Sequence, residues 1–275
     1  MRFGPPYGHP TSTDRTPLMF LDKDLIIFDL DGTLIDSLGI WSLVDQMLVE
    51  ELSAAHVKLT EEEAYDLRAE ALGRYGEGSS AYLAYCGDLK DKFGMPGTAE
   101  TIHHRRYEIA MEVLAKHVRW REGASELLRT LKRAGKRLAI GTTTRRRNID
   151  VYAGRNEGMI REAKIDEIFE VIKTREDVER VKPDPQVHQM IMAELGATPE
   201  KTIVIEDATA GLKAARAAGI APVVVTERHS EVDRAVNDAL ALRRFESLND
   251  ILAVVKAEIA EREAREDPEL PGRNS

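Results

Sequence analysis

The chain reads as an α/β protein, a doubly wound parallel sheet with an inserted block of helices, and three features predict this. An unbroken apolar run, Leu25-Ile26-Ile27-Phe28, leads directly into Asp29-Leu30-Asp31-Gly32-Thr33. Residues 37–118 then show helical periodicity and no strand-like segment. From Gly123 onward, short apolar runs alternate with helix-length stripes. A continuous apolar run bounded by turn residues is the pattern of a strand buried on both faces. Strands alternating with helices imply a parallel sheet with right-handed crossovers.

Taken in order, residues 1–20 are rich in proline and polar residues and read as a flexible extension. The first strand ends at Asp29. In the inserted block, Ile40, Leu43, Val44, Met47 and Leu48 share one helical face. Thr60 with Glu63 is a capping box for a second helix. Tyr82, Tyr85, Cys86, Leu89 and Phe93 form a third stripe, stopped by Gly94 and Pro96, and Ile102, Ile109 and Val113 mark a fourth. An ordinary crossover needs one helix, so this block is expected to be a separate helical domain inserted after the first strand.

Past Gly123, the Leu127, Leu128 and Leu131 face closes at Gly135, and the strand Arg137–Ile140 runs into Gly141-Thr142-Thr143-Thr144. One helix and a strand over Phe169–Ile172 are expected next. Val187, Ile191 and Leu195 mark a helix between Pro185 and Gly196. Thr202–Ile205 is a strand ending in Glu206-Asp207, followed by a helix over Ala210–Ala218 and a strand over Pro222–Val225. A last helix starts at Ser247, and the charged end beyond Glu261 is expected to fray. The expected division is an extension (1–20), a Rossmann-like core (21–36 and 119–260), a helical cap (37–118) and a charged tail (261–275).

Composition excludes several classes of function. A net charge of −9 with interspersed signs argues against nucleic-acid binding. One cysteine, Cys86, leaves no internal disulfide and fits a reducing, cytoplasmic setting. No apolar run approaches the roughly 20 residues of a membrane helix.

The polar residues fall at strand ends. In parallel sheets ligands bind outside the carboxyl ends of the strands. Asp29 and Asp31 follow the first strand, Thr142 the second, and Glu206 and Asp207 a later one, while Lys182 precedes Pro183-Asp184-Pro185. Period-two alternation aims Asp29 and Asp31 to one side. Two carboxylates so placed repel unless a cation lies between them or one is protonated.

These motifs identify a resemblance to the haloacid dehalogenase superfamily, in the branch with a helical cap after the first strand. The chain is similar to phosphoglycolate phosphatases and β-phosphoglucomutases. The match is carried by Phe28-Asp29-Leu30-Asp31-Gly32-Thr33-Leu34, by Thr142 in Ile140–Thr144, by Lys182-Pro183-Asp184-Pro185 and by Ile205–Gly211. It covers about residues 24–225.

The resemblance implies hydrolysis of a phosphate monoester on a small phosphorylated metabolite. Asp29 would attack phosphorus and become an aspartyl-phosphate. Asp31 would protonate the leaving oxygen and then take a proton from water, so its pKa must exceed that of Asp29 with substrate bound. Mg²⁺ would be held by the Asp29 carboxylate, the Asp31 main-chain carbonyl and Asp207, with Glu206 acting directly or through water. Thr142, the Thr143 N–H and Lys182 would hold the phosphoryl group. Relatives usually carry serine where Ala208 stands. Gly32 and Thr33 read as local turn chemistry.

The cap is expected to decide the substrate, closing on hinges at Leu34–Gly39 and Lys116–Arg121. The glycine-rich stretch Gly73–Ser79 resembles a specificity loop, with Arg74 placed to bind a carboxylate or second phosphate. The run Arg145-Arg146-Arg147 reads as a solvated helix start, with a second anionic group as the alternative. His103 and His104 read as a helix-surface pair. The long Thr144–Phe169 segment is expected at a substrate edge or an oligomer interface, in a monomer or homodimer.

Two alternatives stand beside a phosphatase. A phosphosugar mutase would use the same residues, but its kind has a histidine in the hinge after the paired acids, and residues 35–55 contain none. A silent metabolite-binding module would have lost a catalytic residue, and all are present. Asp31 argues against carbon–halogen chemistry, whose enzymes generally lack that acid.

Overall fold

The structure, a computed structural model, describes residues 17–76, 78–228 and 233–266. Residues 1–16 of the expected extension and the chain end past residue 266 lie outside the described residues. Residues 18–20 belong to the core and not to an extension: Leu18 and Phe20 are buried, and the Met19 and Phe20 N–H groups donate to Glu258 of the last helix.

Strand β1 (Leu25–Phe28) is fully buried. Leu25 and Ile27 pack on one face of the sheet with Val187, Ile191 and Ala215. Ile26 and Phe28 pack on the other with Leu127, Leu138 and Ile251. Burial on both faces is why this segment is continuously apolar instead of alternating.

The chain next forms β2 (Ile35–Asp36) and then four helices, α1 (Ile40–Leu52), α2 (Glu61–Tyr75), α3 (Ser79–Phe93) and α4 (Ala99–Lys116). It returns through β3 (Arg119–Trp120). β2 and β3 pair antiparallel, Ile35 with Trp120 and Asp36 with Arg119, so the two expected hinges form a single ribbon. The Thr60–Glu63 capping box starts α2, and Gly94 ends α3 in the left-handed conformation.

The core resumes with α5 (Ala124–Arg133), β4 (Arg137–Gly141), α6 (Arg146–Gly154), α7 (Glu157–Glu162), α8 (Ile165–Ile168) and β5 (Val171–Lys173). It continues with α9 (Gln186–Leu195), β6 (Thr202–Glu206), α10 (Thr209–Ala217), β7 (Ala221–Val225), α11 (Arg234–Leu240), β8 (Arg244–Phe245) and α12 (Leu248–Glu266). The six-stranded sheet runs β5-β4-β1-β6-β7-β8, with every pair parallel. The chain builds outward from β1 through β4 to β5, then crosses back to β6. That reversal makes the carboxyl end of β1 the switch point, where the sheet opens a crevice.

Some elements differ from expectation. Three short helices, not one, separate β4 from β5, and the strand begins at Val171 because Phe169 caps α8 and turns into the core. α11 and β8 have no strong sequence signal, since β8 is two residues long. α12 stays helical through Glu266, laced by Arg262–Glu266 and Arg265–Glu261 pairs.

The long segment between β4 and β5 has an internal role. The buried Asn156 side chain donates to the carbonyls of Leu114 and Val118, and Trp120 Nε1 donates to the Met159 carbonyl. α7 thereby fastens the end of α4 and the returning hinge strand to the core.

The cap is organised around a buried charge cluster. Asp45 of α1 is fully buried between Arg68 of α2, at 2.5 Å, and Arg106 of α4, at 2.7 Å. Trp41, Tyr82 and Tyr85 surround the Arg106 guanidinium at 5.0–5.8 Å from their ring centroids. One carboxylate thus compensates two cations that cannot reach water. Replacing Asp45 by Asn should lower the unfolding free energy by about 3–5 kcal/mol, because breaking a buried pair strands its partner charge. Chemical denaturation of the full chain measures this; a loss under about 1 kcal/mol would show that the arginines find other partners.

Candidate active site

The crevice at the end of β1 is a cavity of about 540 Å³ that gathers Asp29, Asp31, Thr142, Thr143, Lys182, Glu206 and Asp207. Three strand ends, those of β1, β4 and β6, and the loop before α9 deliver them. Asp29 follows β1 and is fixed by its own N–H to the Ile205 carbonyl, at 3.0 Å. β1 stops at Phe28, so strand alternation does not place Asp31. A tight turn does: Leu34 and Ile35 both donate to the Leu30 carbonyl, and Gly32 donates to the Ile35 carbonyl.

Gly32 is required in this turn. Its φ is +81°, and a Cβ there would lie 2.8 Å from Asp207 Oδ2. Thr33 donates from Oγ1 to Asp207 Oδ1 at 2.7 Å, so it reaches across to the end of β6, not within its own turn.

Lys182 is the electrostatic centre. Its buried ammonium lies 2.6 Å from Asp29 Oδ1 and 2.8 Å from Glu206 Oε1. These two carboxylates hold its pKa well above the usual lysine range, outweighing burial, which acts in the opposite direction. The other Glu206 oxygen accepts from the N–H groups of Asp207 and Ala208, both at 2.8 Å. Glu206 therefore orients the lysine and the turn together. Its side chain passes over Gly211, where a Cβ would lie 1.5 Å from Oε1.

The acids outnumber the base. Asp29 is pushed well above the usual carboxylate range, chiefly by burial, with Glu206 and Asp207 adding repulsion that Lys182 partly offsets. Asp31 is also raised by burial, against hydrogen bonds from Ser37 Oγ, at 2.5 Å, and from Thr144 Oγ1. Carboxylate oxygens of Asp29, Glu206 and Asp207 lie within 4.8 Å of one another. A buried, all-oxygen, net-negative donor set suits a hard divalent cation, and it offers no sulfur or imidazole for a softer one.

Thr142 lies on the opposite lip, buried at the end of β4. Its N–H donates to the Lys173 carbonyl, and its Oγ1 accepts from the Thr144 N–H at 3.1 Å. The hydroxyl proton remains available to an incoming oxygen. The adjacent Thr143 N–H has no partner among the described residues.

Arg74 is not brought to the cavity. α2 extends to Tyr75, so Arg74 is helical and pairs with Glu70 at 2.7 Å and Asp88 at 3.4 Å beside a separate depression. Of the expected loop, Gly76 and Gly78 link the helices, and Glu77 lies outside the described residues. Arg146 pairs with Asp177, and Arg147 stacks on Tyr107 of α4 at 4.1 Å. His103 packs edge-on against Tyr107 at the cap–core boundary, whereas His104 stays exposed beside Glu108.

Several residues at the site have no role of their own legible in the sequence. Ser37 and Thr144 flank Asp31. Arg121, where the chain leaves the hinge ribbon, donates to the carbonyls of Gly32 and Thr226, tying the acidic turn to the far side of the sheet. Trp41, Asn148 and Arg175 line the rest of the cavity. The buried Asn148 Oδ1 has no hydrogen-bond partner, a deficit that typically costs about 1–3 kcal/mol.

Comparison with known proteins adds context. The profile of the haloacid dehalogenase-like hydrolases matches residues 26–225. The chain is 25% identical over 219 residues to a phosphorylated carbohydrates phosphatase of Thermotoga maritima, covering 80% of this chain and 89% of the relative. It is 29% identical over 248 residues to the pyrophosphatase PpaX of Halalkalibacterium halodurans, covering 85% and 99%. Among solved structures, CbbY from Rhodobacter sphaeroides in complex with phosphate aligns with a TM-score of 0.59 at 26% identity, covering 85% of this chain and 99% of the other.

Behind Lys182, on α9, His188 is fully buried with neither ring nitrogen bonded. Burial, with the Lys182 charge adding to it, pushes its pKa down to about 3. The native ring therefore stays neutral while the unfolded ring protonates near pH 6.5. Stability linked to His188 is complete above that pH and is lost as pH falls toward 3, at no more than about 1.4 kcal/mol per unit. In urea denaturation, the native chain should lose about 2 kcal/mol more between pH 7 and 5 than His188→Leu does. Parallel pH profiles would show that His188 is protonated inside the fold.

Proposed function

The chain belongs to the haloacid dehalogenase-like hydrolases and is a phosphoric monoester hydrolase, and we propose that it acts on a small sugar-phosphate-type metabolite through an aspartyl-phosphate at Asp29. One observation carries the reading: Lys182 lies 2.6 Å from Asp29, in a cavity that also holds Asp31, Asp207 and Thr142. A phosphate dianion needs its charge screened and its phosphorus held in line with a nucleophile; Lys182 beside Asp29 supports both, and the excess of acids leaves the rest of the screening to a bound cation.

Asp29 and Asp207 would hold Mg²⁺, with the main-chain carbonyl of Asp31 as a third protein ligand. When bound, the cation neutralises the carboxylates and the phosphoryl oxygens. Glu206 has both oxygens engaged, which favours a supporting role through Lys182 and the turn over a direct bond to the metal.

The remaining work falls to side chains of the chain itself. Lys182 holds one Asp29 oxygen and leaves the other to attack phosphorus. Thr142 Oγ1 and the Thr143 N–H face the phosphoryl oxygens as charge moves onto them. Asp31, raised by burial against the two hydroxyls that donate to it, would give a proton to the leaving oxygen. The alcohol departs, and the ionised Asp31 takes a proton from water as that water attacks the aspartyl-phosphate. Inorganic phosphate leaves, and Asp29 and Asp31 return to their starting states.

Residues 35–55, which follow Asp31 into the cap, carry no histidine, and His117 on the returning side does not line the cavity, which favours release over return of the phosphoryl group to a sugar. Release of phosphate to water is the simpler outcome. With Mg²⁺ and a panel of phosphorylated carbohydrates, one phosphate should appear for every ester consumed, and a chelator should stop the reaction. Asp29→Asn should lower kcat by more than about 10⁴-fold, as loss of a nucleophile does. Ester loss without phosphate release, or full activity in Asp29→Asn, would overturn the proposal.

A further inference from the structure

We propose that Trp41, Asn148 and Arg175 form a leaving-group subsite for a phosphate ester whose alcohol is polyhydroxylated and carries a second anionic group. The inference rests on the hydrolase reading above and narrows its substrate class. At about 540 Å³, the cavity is much larger than a phosphate group. The acids, Lys182 and Thr142 account for the phosphoryl end. Ser37 and Thr144 are committed to Asp31.

Asn148 is the most direct indicator. It is 7% exposed, lies in the first turn of α6 and lines the cavity. Its Oδ1 is buried without a partner, and its Nδ2 donates to no described residue. A carboxamide offers an acceptor and two donors, the complement of neighbouring hydroxyls that both donate and accept. A polar group buried without a partner at the wall of a binding cavity lacks a hydrogen bond that a ligand seated there would supply.

Arg175 supplies charge. It is the only arginine lining the cavity among the described residues, and its guanidinium has no partner. The backbone beneath is fixed: the Arg175 N–H donates to the Thr144 carbonyl, and Thr174 with Asp177 closes the turn around it. An exposed guanidinium on a fixed turn suits bidentate binding of a carboxylate or phosphate. Arg146 and Arg147 are engaged elsewhere and do not line the cavity.

Trp41 provides the third wall. It comes from α1 of the cap, is partly buried, and is backed by the Arg106 guanidinium at 5.5 Å from its ring. Its apolar face suits the C–H side of a carbohydrate, leaving the hydroxyls to Asn148. Cap and core thus contribute to one subsite.

The test uses the full chain carrying Asp29→Asn, with Mg²⁺, and calorimetric titration of four ligands: 6-phosphogluconate, fructose 1,6-bisphosphate, glucose 6-phosphate and phenyl phosphate. At least one of the first two should bind about ten-fold more tightly than glucose 6-phosphate, and their order tells a carboxylate preference from a phosphate preference. Adding Arg175→Met should remove that advantage. Adding Asn148→Leu should weaken the three sugar ligands about ten-fold relative to phenyl phosphate. Arg175 is at the surface, so its substitution keeps the test valid if the Asn148 variant misfolds. Equal affinity for all four ligands, unchanged ratios in the folded variants, or no binding would overturn the subsite. Phosphate release by the chain with Asp29 intact is scored separately: its absence with the affinity pattern present removes the hydrolase reading alone, and its presence with a flat pattern removes the subsite alone.

Discussion

The rest of the site depends on the Lys182 ammonium, buried between Asp29 and Glu206. A buried ion pair is an inefficient way to stabilise a fold, since removing two charges from water costs nearly what their attraction returns. Here four acids, Asp29, Asp31, Glu206 and Asp207, line one cavity against two cationic side chains, Lys182 and Arg175. The site therefore holds more negative charge than its own residues compensate. That excess makes it receptive to a divalent cation, and the cation with Lys182 makes it receptive to a phosphate ester.

The surrounding fold exists to hold those charges close. The switch point at β1 brings three strand ends and the loop before α9 to one crevice. Gly32 and Gly211 allow the Asp207 and Glu206 side chains to pass where any Cβ would stand. Arg121 ties the acidic turn to the hinge ribbon, so the turn that carries Asp31 is continuous with the strand that leads to the cap. Any cap movement on that ribbon is therefore close in the chain to Asp31. The cap in turn spends one buried carboxylate, Asp45, on two arginines, and one of these backs the Trp41 wall of the cavity.

Much of this was legible in the sequence because its signals are local. β1, the Thr60 capping box, the Gly94 stop and the acids at strand ends are each written in a few adjacent residues. The parts that were not legible depend on contacts between distant segments. Arg121 reads only as part of a hinge, and Asn148 follows an arginine run that draws attention away from it. Arg74 looked like a loop residue because of its glycines, but Glu70 one turn earlier supports the helix past it. Asn156, whose side chain accepts from the Met159 N–H, was a readable signal for a break between α6 and α7. Asp31 is brought to the predicted cavity by a turn, not by strand alternation, so its placement depends on Gly32 and not on period two.

The account's central claim is that excess buried carboxylate charge at the end of β1 is resolved by a divalent cation. Mg²⁺ titration of the full chain near neutral pH, run in buffers of different ionisation enthalpy, measures this most directly. The raised pKa of Asp29 predicts that binding releases protons and stabilises the fold against heat, and that Asp207→Asn abolishes both effects. Unchanged protonation and an unchanged melting temperature at saturating Mg²⁺ would contradict it.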